Sequence, residues 1–185
     1  MENLELFAPC DRKMWRKIKW LYRRAFPRCE RKPWIMISQM QNKGDVDVWY
    51  FQSGGEFLGL AITAPDEKTV LLDYFAVSKK LRGRGYGTKM LKALIAQYSG
   101  KTLILEIEKP YPNGKDYLNK QRRKSFYLNA GLISLGVNIK LFGVDMELMG
   151  TAAGIDYAAY RSFYFNKFGK YAPISIFEKN IVEIE

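Results

Sequence analysis

The chain contains no histidine among its 185 residues. That absence excludes a histidine-based catalytic triad and removes the common zinc motifs, which draw on imidazole. Cysteine is scarce too: Cys10 and Cys29 are the only two, too few for a disulfide scaffold in a domain of this size. A reducing interior is the expected setting, with a single Cys10–Cys29 bridge as the alternative. No apolar run reaches membrane-spanning length, and the opening residues, Met-Glu-Asn-Leu-Glu-Leu, do not resemble a secretory signal. The expected location is the cytoplasm. Low-complexity tracts, linkers and internal repeats are also missing. One domain over residues 1–185 is therefore expected, with 151–185 as a C-terminal helix and strand extension.

Acidic side chains are short in supply as well. Against 30 lysines and arginines stand 19 aspartates and glutamates, a formal charge of +11. Much of the excess lies between Arg12 and Lys32. Such a field favours anionic partners, among them nucleotide cofactors, nucleic acid and acidic membranes, without choosing between them. What is present is ample core material: 48% of the residues are hydrophobic and 15% aromatic, enough for a full interior at this length.

Periodicity divides the chain into alternating elements. Met14, Ile18, Leu21, Tyr22 and Ala25 recur at helical spacing, and Pro27 ends that helix. A short helix over Pro33–Gln41 competes with a strand over Ile35–Ser38. Asp45–Phe51 and Glu56–Thr63 read as strands joined by a turn at Gln52–Gly55. Thr69–Val77 is the next strand, with a register break expected near Tyr74–Phe75. A helix follows from Gly85 to Tyr98, then a strand at Thr102–Glu108. The prolines and Asn-Gly pair of Lys109–Gly114 mark a loop. A helix from Tyr117 to Asn129 ends at Gly131, a position suited to a left-handed residue. Strands over Leu132–Leu141 and Val144–Met149, a helix over Asp156–Phe168 and a terminal strand at Ile174–Phe177 complete the order. The fold class is α/β, or α+β in some schemes.

The densest signal is Phe75-Ala-Val-Ser-Lys-Lys-Leu-Arg-Gly-Arg-Gly-Tyr-Gly-Thr88, which leaves a strand and enters a helix through three glycines. Gly83, Gly85 and Gly87 carry no side chain to block a ligand, and the amides of a helix's first turn favour a phosphate. Arg82 and Arg84 add charge, and Thr88 offers a hydroxyl. A Walker loop fails on spacing. A dinucleotide fingerprint fails because Thr88 stands where its third glycine belongs, although Glu106 lies near the distance of an acidic ribose ligand. The bland alternative is a glycine-rich turn with a solvated basic face.

These residues resemble motif A of the GNAT superfamily of N-acyltransferases, Arg/Gln-x-x-Gly-x-Gly/Ala, matched by Arg82-Gly-Arg-Gly85-Tyr-Gly87. Phe126-Tyr127-Leu-Asn-Ala-Gly131 is similar to the family's aromatic-Tyr-x-x-x-Gly helix ending, and element order agrees from about Asp11 to Met149. The resemblance implies a mixed, mostly antiparallel central sheet flanked by helices, with a V-shaped opening between strands four and five. It implies an acyl-coenzyme A cofactor, usually acetyl-CoA, and direct transfer to a small-molecule amine or an exposed protein amine. The amides from Arg84 through Gly85, Tyr86 and Gly87 to Thr88 would hold the pyrophosphate. The main chain of Phe75, Ala76 and Val77 would hold the pantetheine arm. Tyr127, as a phenol near its ordinary pKa of about 10, would protonate the departing thiolate.

Glu106 is the first choice as base, with Glu108 and Asp73 next; all three could instead bind a cationic acceptor. Many family members carry an asparagine seven positions before the tyrosine. Here Lys120 stands at that place, and Lys120 or Arg123 would approach phosphate instead. Cys10 and Cys29 lie outside both motifs, which disfavours an acyl-enzyme. The aromatic segment with Tyr157, Tyr160 and Tyr164 would shape the acceptor site or cover a homodimer surface. Two rivals remain: a nonenzymatic nucleic-acid module using the basic N-terminal helix with Trp15 and Trp20, and an inactive CoA-binding sensor on the same fold. Nucleic acid is disfavoured, because an amphipathic packed helix explains the same residues.

Overall fold

Asp11 starts the first helix by accepting the Met14 amide at 2.7 Å through its side chain, and Pro27 stops it by forcing Phe26 into an extended conformation. Between them, α1 (Arg12–Ala25) buries Ile18, Leu21 and Tyr22 on one stripe. The structure is a computed structural model that describes residues 4–185, apart from the side chain of Cys29. Cys10 is an exposed free thiol.

The chain divides into two compact units, one ending at Lys101 and one running from Thr102 to Glu185. In the first, β1 (Leu4–Phe7), α1, α2 (Trp34–Asn42), β2 (Asp47–Ser53), β3 (Glu56–Pro65), β4 (Thr69–Val77) and α3 (Tyr86–Gln97) follow in order. Its strands pair antiparallel, β1 to β2, β2 to β3 and β3 to β4. Fully buried Leu58, Leu60, Ile62 and Leu71 form the heart of this sheet's core. The Pro33 ambiguity resolves as a helix, with Pro33 at its N-cap. The four-residue β1 lies outside the expected elements; its length gives periodicity little to act on.

The expected register break in β4 falls one residue earlier than predicted. Ile62 pairs with Tyr74 and Thr63 with Leu72, so Asp73 is the extra residue of a β-bulge.

The second unit contains β5 (Thr102–Glu108), α4 (Tyr117–Asn129), β6 (Ile133–Leu141), β7 (Val144–Gly150), α5 (Tyr157–Phe168), α6 (Ile174–Asn180) and β8 (Ile181–Ile184). Here too every pairing is antiparallel: β5 with β7, β7 with β6, and β6 with β8. The strand expected at Ile174–Phe177 is instead the start of helix α6. Pro173 sits at its N-cap, Phe177 turns inward, and β8 follows it to pair with residues 138–141 of β6. The class is mixed α/β with mostly antiparallel strands flanked by helices, as expected.

Candidate active site

Gly83 and Gly85 both adopt left-handed backbone, with φ +76° and +78°. A side chain at either would meet open space, so the requirement is conformational, not steric. Gly85 is the N-cap of α3 and supplies no side-chain acceptor, leaving the first-turn amides of Tyr86, Gly87 and Thr88 without a cap. Arg84 is exposed beside them, whereas Arg82 turns back so that its Nε donates to the Val77 carbonyl at 3.1 Å. That bond ties the loop to the end of β4.

Phe75, Ala76 and Val77 pair with Ala61, Leu60 and Gly59 of β3. Only main-chain groups of β4 that point away from β3 are left for another partner. Gly59 is needed here: a Cβ on it would lie 2.3 Å from the Ala76 carbonyl oxygen and 2.6 Å from Met90 Cε.

The far end of α3 is anchored. Tyr98, just past the helix, donates to Asp47 at 2.6 Å, accepts from Trp49 Nε1 at 2.9 Å and lies 2.5 Å from the Thr63 hydroxyl. Burial raises its phenol well above the ordinary range, with the Asp47 hydrogen bond acting in the same direction.

Asp73, at the bulge, receives Lys32 Nζ on both carboxylate oxygens at 2.7 Å. The side chains are 16% and 11% exposed, so this is a nearly buried pair. Lys32 is held in place through its backbone. Its amide donates to the Tyr74 hydroxyl at 2.9 Å, and its carbonyl accepts from the Tyr22 hydroxyl at 3.0 Å. The Tyr22 and Tyr74 rings meet edge-on at 4.8 Å, and burial raises both phenols. Lys32 and Asp73 lie 41 residues apart, and no local pattern foretells the pairing.

In the second unit, Tyr127 is buried on α4. A Schellman ending fixes its backbone: Leu132 N–H donates to the Tyr127 carbonyl and Gly131 N–H to that of Leu128, with Gly131 at φ +97° as expected. Among the described residues no hydrogen bond reaches its hydroxyl. Burial pushes the phenol up to about 12, while the Arg123 charge acts to lower it. This corrects the expectation of an ordinary phenol near 10.

Glu106 and Glu108 lie two residues apart on β5, and each has a partner. Glu106 Oε1 accepts from the Tyr160 hydroxyl at 2.6 Å. Glu108 is 2.8 Å from Lys120 and 3.6 Å from Arg123. Both cations assigned to phosphate from the sequence therefore converge on this carboxylate. Tyr160 and Tyr164 are interior, with Tyr164 packed on Tyr160, Phe168 and Phe177, which removes both from a surface between copies. Tyr157 donates to the Ile181 carbonyl at 2.9 Å.

The sequence model of the acetyltransferase (GNAT) family matches residues 13–115. No curated protein sequence matches the chain. Among solved structures, a candidate GNAT-family acetyltransferase from Bacteroides thetaiotaomicron superposes with TM-score 0.73 at 17% identity, covering 91% of this chain and 97% of its own. The ribosomal-protein-S18-alanine N-acetyltransferase of Escherichia coli superposes with TM-score 0.59 at 17% identity, over 82% of this chain and 97% of that one. An aminoglycoside 6'-N-acetyltransferase complexed with coenzyme A gives TM-score 0.61 at 17% identity, over 80% and 95%. Matched by the family's sequence model over more than half its length, this protein belongs to the acetyltransferase (GNAT) family.

Proposed function

We propose that the protein is a cytoplasmic N-acetyltransferase that moves an acetyl group from acetyl-CoA directly to a primary amine, on a small molecule or an exposed protein. Both of its compact units are read as parts of one acyltransferase domain. The observation that carries the reading is the uncapped first turn of α3 behind two left-handed glycines. Such amides satisfy a diphosphate without a side chain in the way. No helix among the described residues is long and apolar enough to cross a membrane.

Acetyl-CoA supplies the acyl group as a thioester when bound. The amides from Arg84 to Thr88 hold its diphosphate, and main-chain groups of Phe75–Val77 hold the pantetheine arm and polarise the acyl oxygen. Glu106 takes the proton that an ammonium acceptor must lose before its nitrogen can attack. Tyr127 supplies a hydroxyl to the sulfur as negative charge develops. Complete transfer from a phenol near 12 to a thiolate of ordinary pKa about 8.5 is uphill, so its main contribution is the hydrogen bond. Asp73 and Glu108 offer charge to a cationic acceptor, each after exchanging its present lysine partner. Lys120 and Arg123 are the side chains available to phosphate oxygens if Glu108 releases them.

The coenzyme A complex of the aminoglycoside enzyme and the protein amine named for the Escherichia coli enzyme support the cofactor and the breadth of acceptor class. Calorimetry with acetyl-CoA, followed by thiol release across a panel of amines, tests the proposal. Binding with turnover supports it; binding without turnover on any amine assigns the fold to a sensor; no binding overturns it.

A further inference from the structure

The acetyl-transfer reading does not account for the outer face of α1. That helix, Arg-Lys-Met-Trp-Arg-Lys-Ile-Lys-Trp-Leu-Tyr-Arg-Arg-Ala, carries seven cations and no acid. Helical spacing puts Lys13, Arg16, Lys17, Trp20 and Arg24 on one face, flanking the core stripe. None of the helix's cations forms an ion pair among the described residues. Neighbouring like charges at this spacing repel, so an isolated helix gains nothing from them.

Trp20 departs from the packed-helix reading that disfavoured nucleic acid. It is 56% exposed, whereas Trp15 on the same helix packs edge-on against Trp34. The Arg24 guanidinium lies 4.5 Å from the Trp20 ring centroid. Beside it opens a groove of about 530 Å³, lined by Arg16, Lys17, Trp20, Phe57, Ser78 and Lys80 among others. Its one acid, Glu56, is already paired with Lys80 at 2.7 Å.

We propose that this face binds single-stranded RNA, with Trp20 as a base-stacking platform and Arg16, Lys17 and Arg24 as backbone contacts. Unpaired cations alone would serve any polyanion. An exposed indole flanked by guanidinium and bordering a groove favours a partner that alternates phosphate with flat rings. An anionic membrane is the weaker fit, because the apolar face of α1 is buried in the core and cannot insert. An RNA strand in the groove would lie against Ser78 and Lys80, in the connection that leads to the turn of residues 83–88 in the same unit.

The test is fluorescence anisotropy of a labelled oligouridine with the full-length protein, without acetyl-CoA, so its outcome is independent of catalysis. We expect binding whose logarithm falls with log salt at a slope of roughly −2 to −3, from three or four phosphate contacts. Arg16→Glu with Lys17→Glu should weaken it at least about tenfold, and Trp20→Ala about tenfold. Lys92→Glu, on the exposed side of α3, should leave it unchanged, with circular dichroism checking that each variant folds. Equal affinity for polyglutamate, binding only to phosphatidylglycerol vesicles, or insensitivity to Trp20→Ala would overturn the proposal. So would displacement of the RNA by saturating coenzyme A, which would make the groove part of the cofactor's site, or absence of binding.

Discussion

The Tyr160 hydroxyl donates to Glu106 Oε1 at 2.6 Å, so a helix outside both motifs holds the carboxylate expected to act as base. Tyr160 is fully buried, and its ring packs on Tyr164. We expect Tyr160→Phe to cut turnover about tenfold while leaving coenzyme A affinity unchanged, as steady-state kinetics beside calorimetry would reveal. Loss of a hydrogen bond to a charged acceptor should also cost roughly 1.5–3 kcal/mol of stability. An unaltered rate would mean that Glu106 does not depend on this contact.

Tyr127 predicts behaviour at alkaline pH. Its phenol is raised by burial to about 12, so the fold prefers the protonated form. The corresponding stability is complete below the unfolded value of about 10 and is lost as pH rises through about 12. Tyr127→Phe should flatten that loss in denaturant titrations, though only in part, because burial raises Tyr22, Tyr74 and Tyr98 in the same direction. At neutral pH the same substitution should lower turnover about a hundredfold with little change in cofactor affinity.

Breaking the Lys32–Asp73 pair from one side leaves a nearly buried charge alone. Asp73→Ala or Lys32→Ala should each cost about 3 kcal/mol in chemical denaturation. Asp73→Asn combined with Lys32→Met should recover most of the loss. If the double variant is as stable as the native protein yet rejects cationic acceptors, Asp73 belongs to acceptor recognition and not to folding.

Two glycines at or near the turn of residues 83–88 should fail differently when changed to alanine. At Gly59 the added carbon would strike the Ala76 carbonyl, so Gly59→Ala should displace β4 and cost about 1–3 kcal/mol. At Gly85 there is room but the backbone is left-handed, giving a cost of about 1–2 kcal/mol. The second should weaken coenzyme A binding more than its effect on melting temperature suggests. Differential scanning fluorimetry with and without ligand separates the two.

What is legible in the sequence follows the range of the physics involved. Helix ends at Pro27 and Gly131 are set by neighbours in sequence, and each is where the pattern puts it. The glycine turn is legible for the same reason. Lys32 with Asp73, and Tyr160 with Glu106, depend on contacts 41 and 54 residues apart. At Ile174–Phe177 a short apolar run fits either period; Pro173 and the pairing of residues 181–184 with β6 decide for helix then strand. The place of Tyr127 on its helix can be read from the chain, but its acidity depends on burial that a linear pattern does not convey.

The hydrogen bonds that converge on Tyr98 have a consequence at the opposite end of its helix. With α3 clamped there to Asp47, Trp49 and Thr63, the turn at residues 83–88 is mounted on a fixed strut. On the proposed reading, an incoming diphosphate would then meet a finished receptor and have little backbone to organise. Hydrogen exchange in Met90–Leu94 should accordingly be as slow in the empty protein as in the loaded one, leaving the change to the amides that touch the anion.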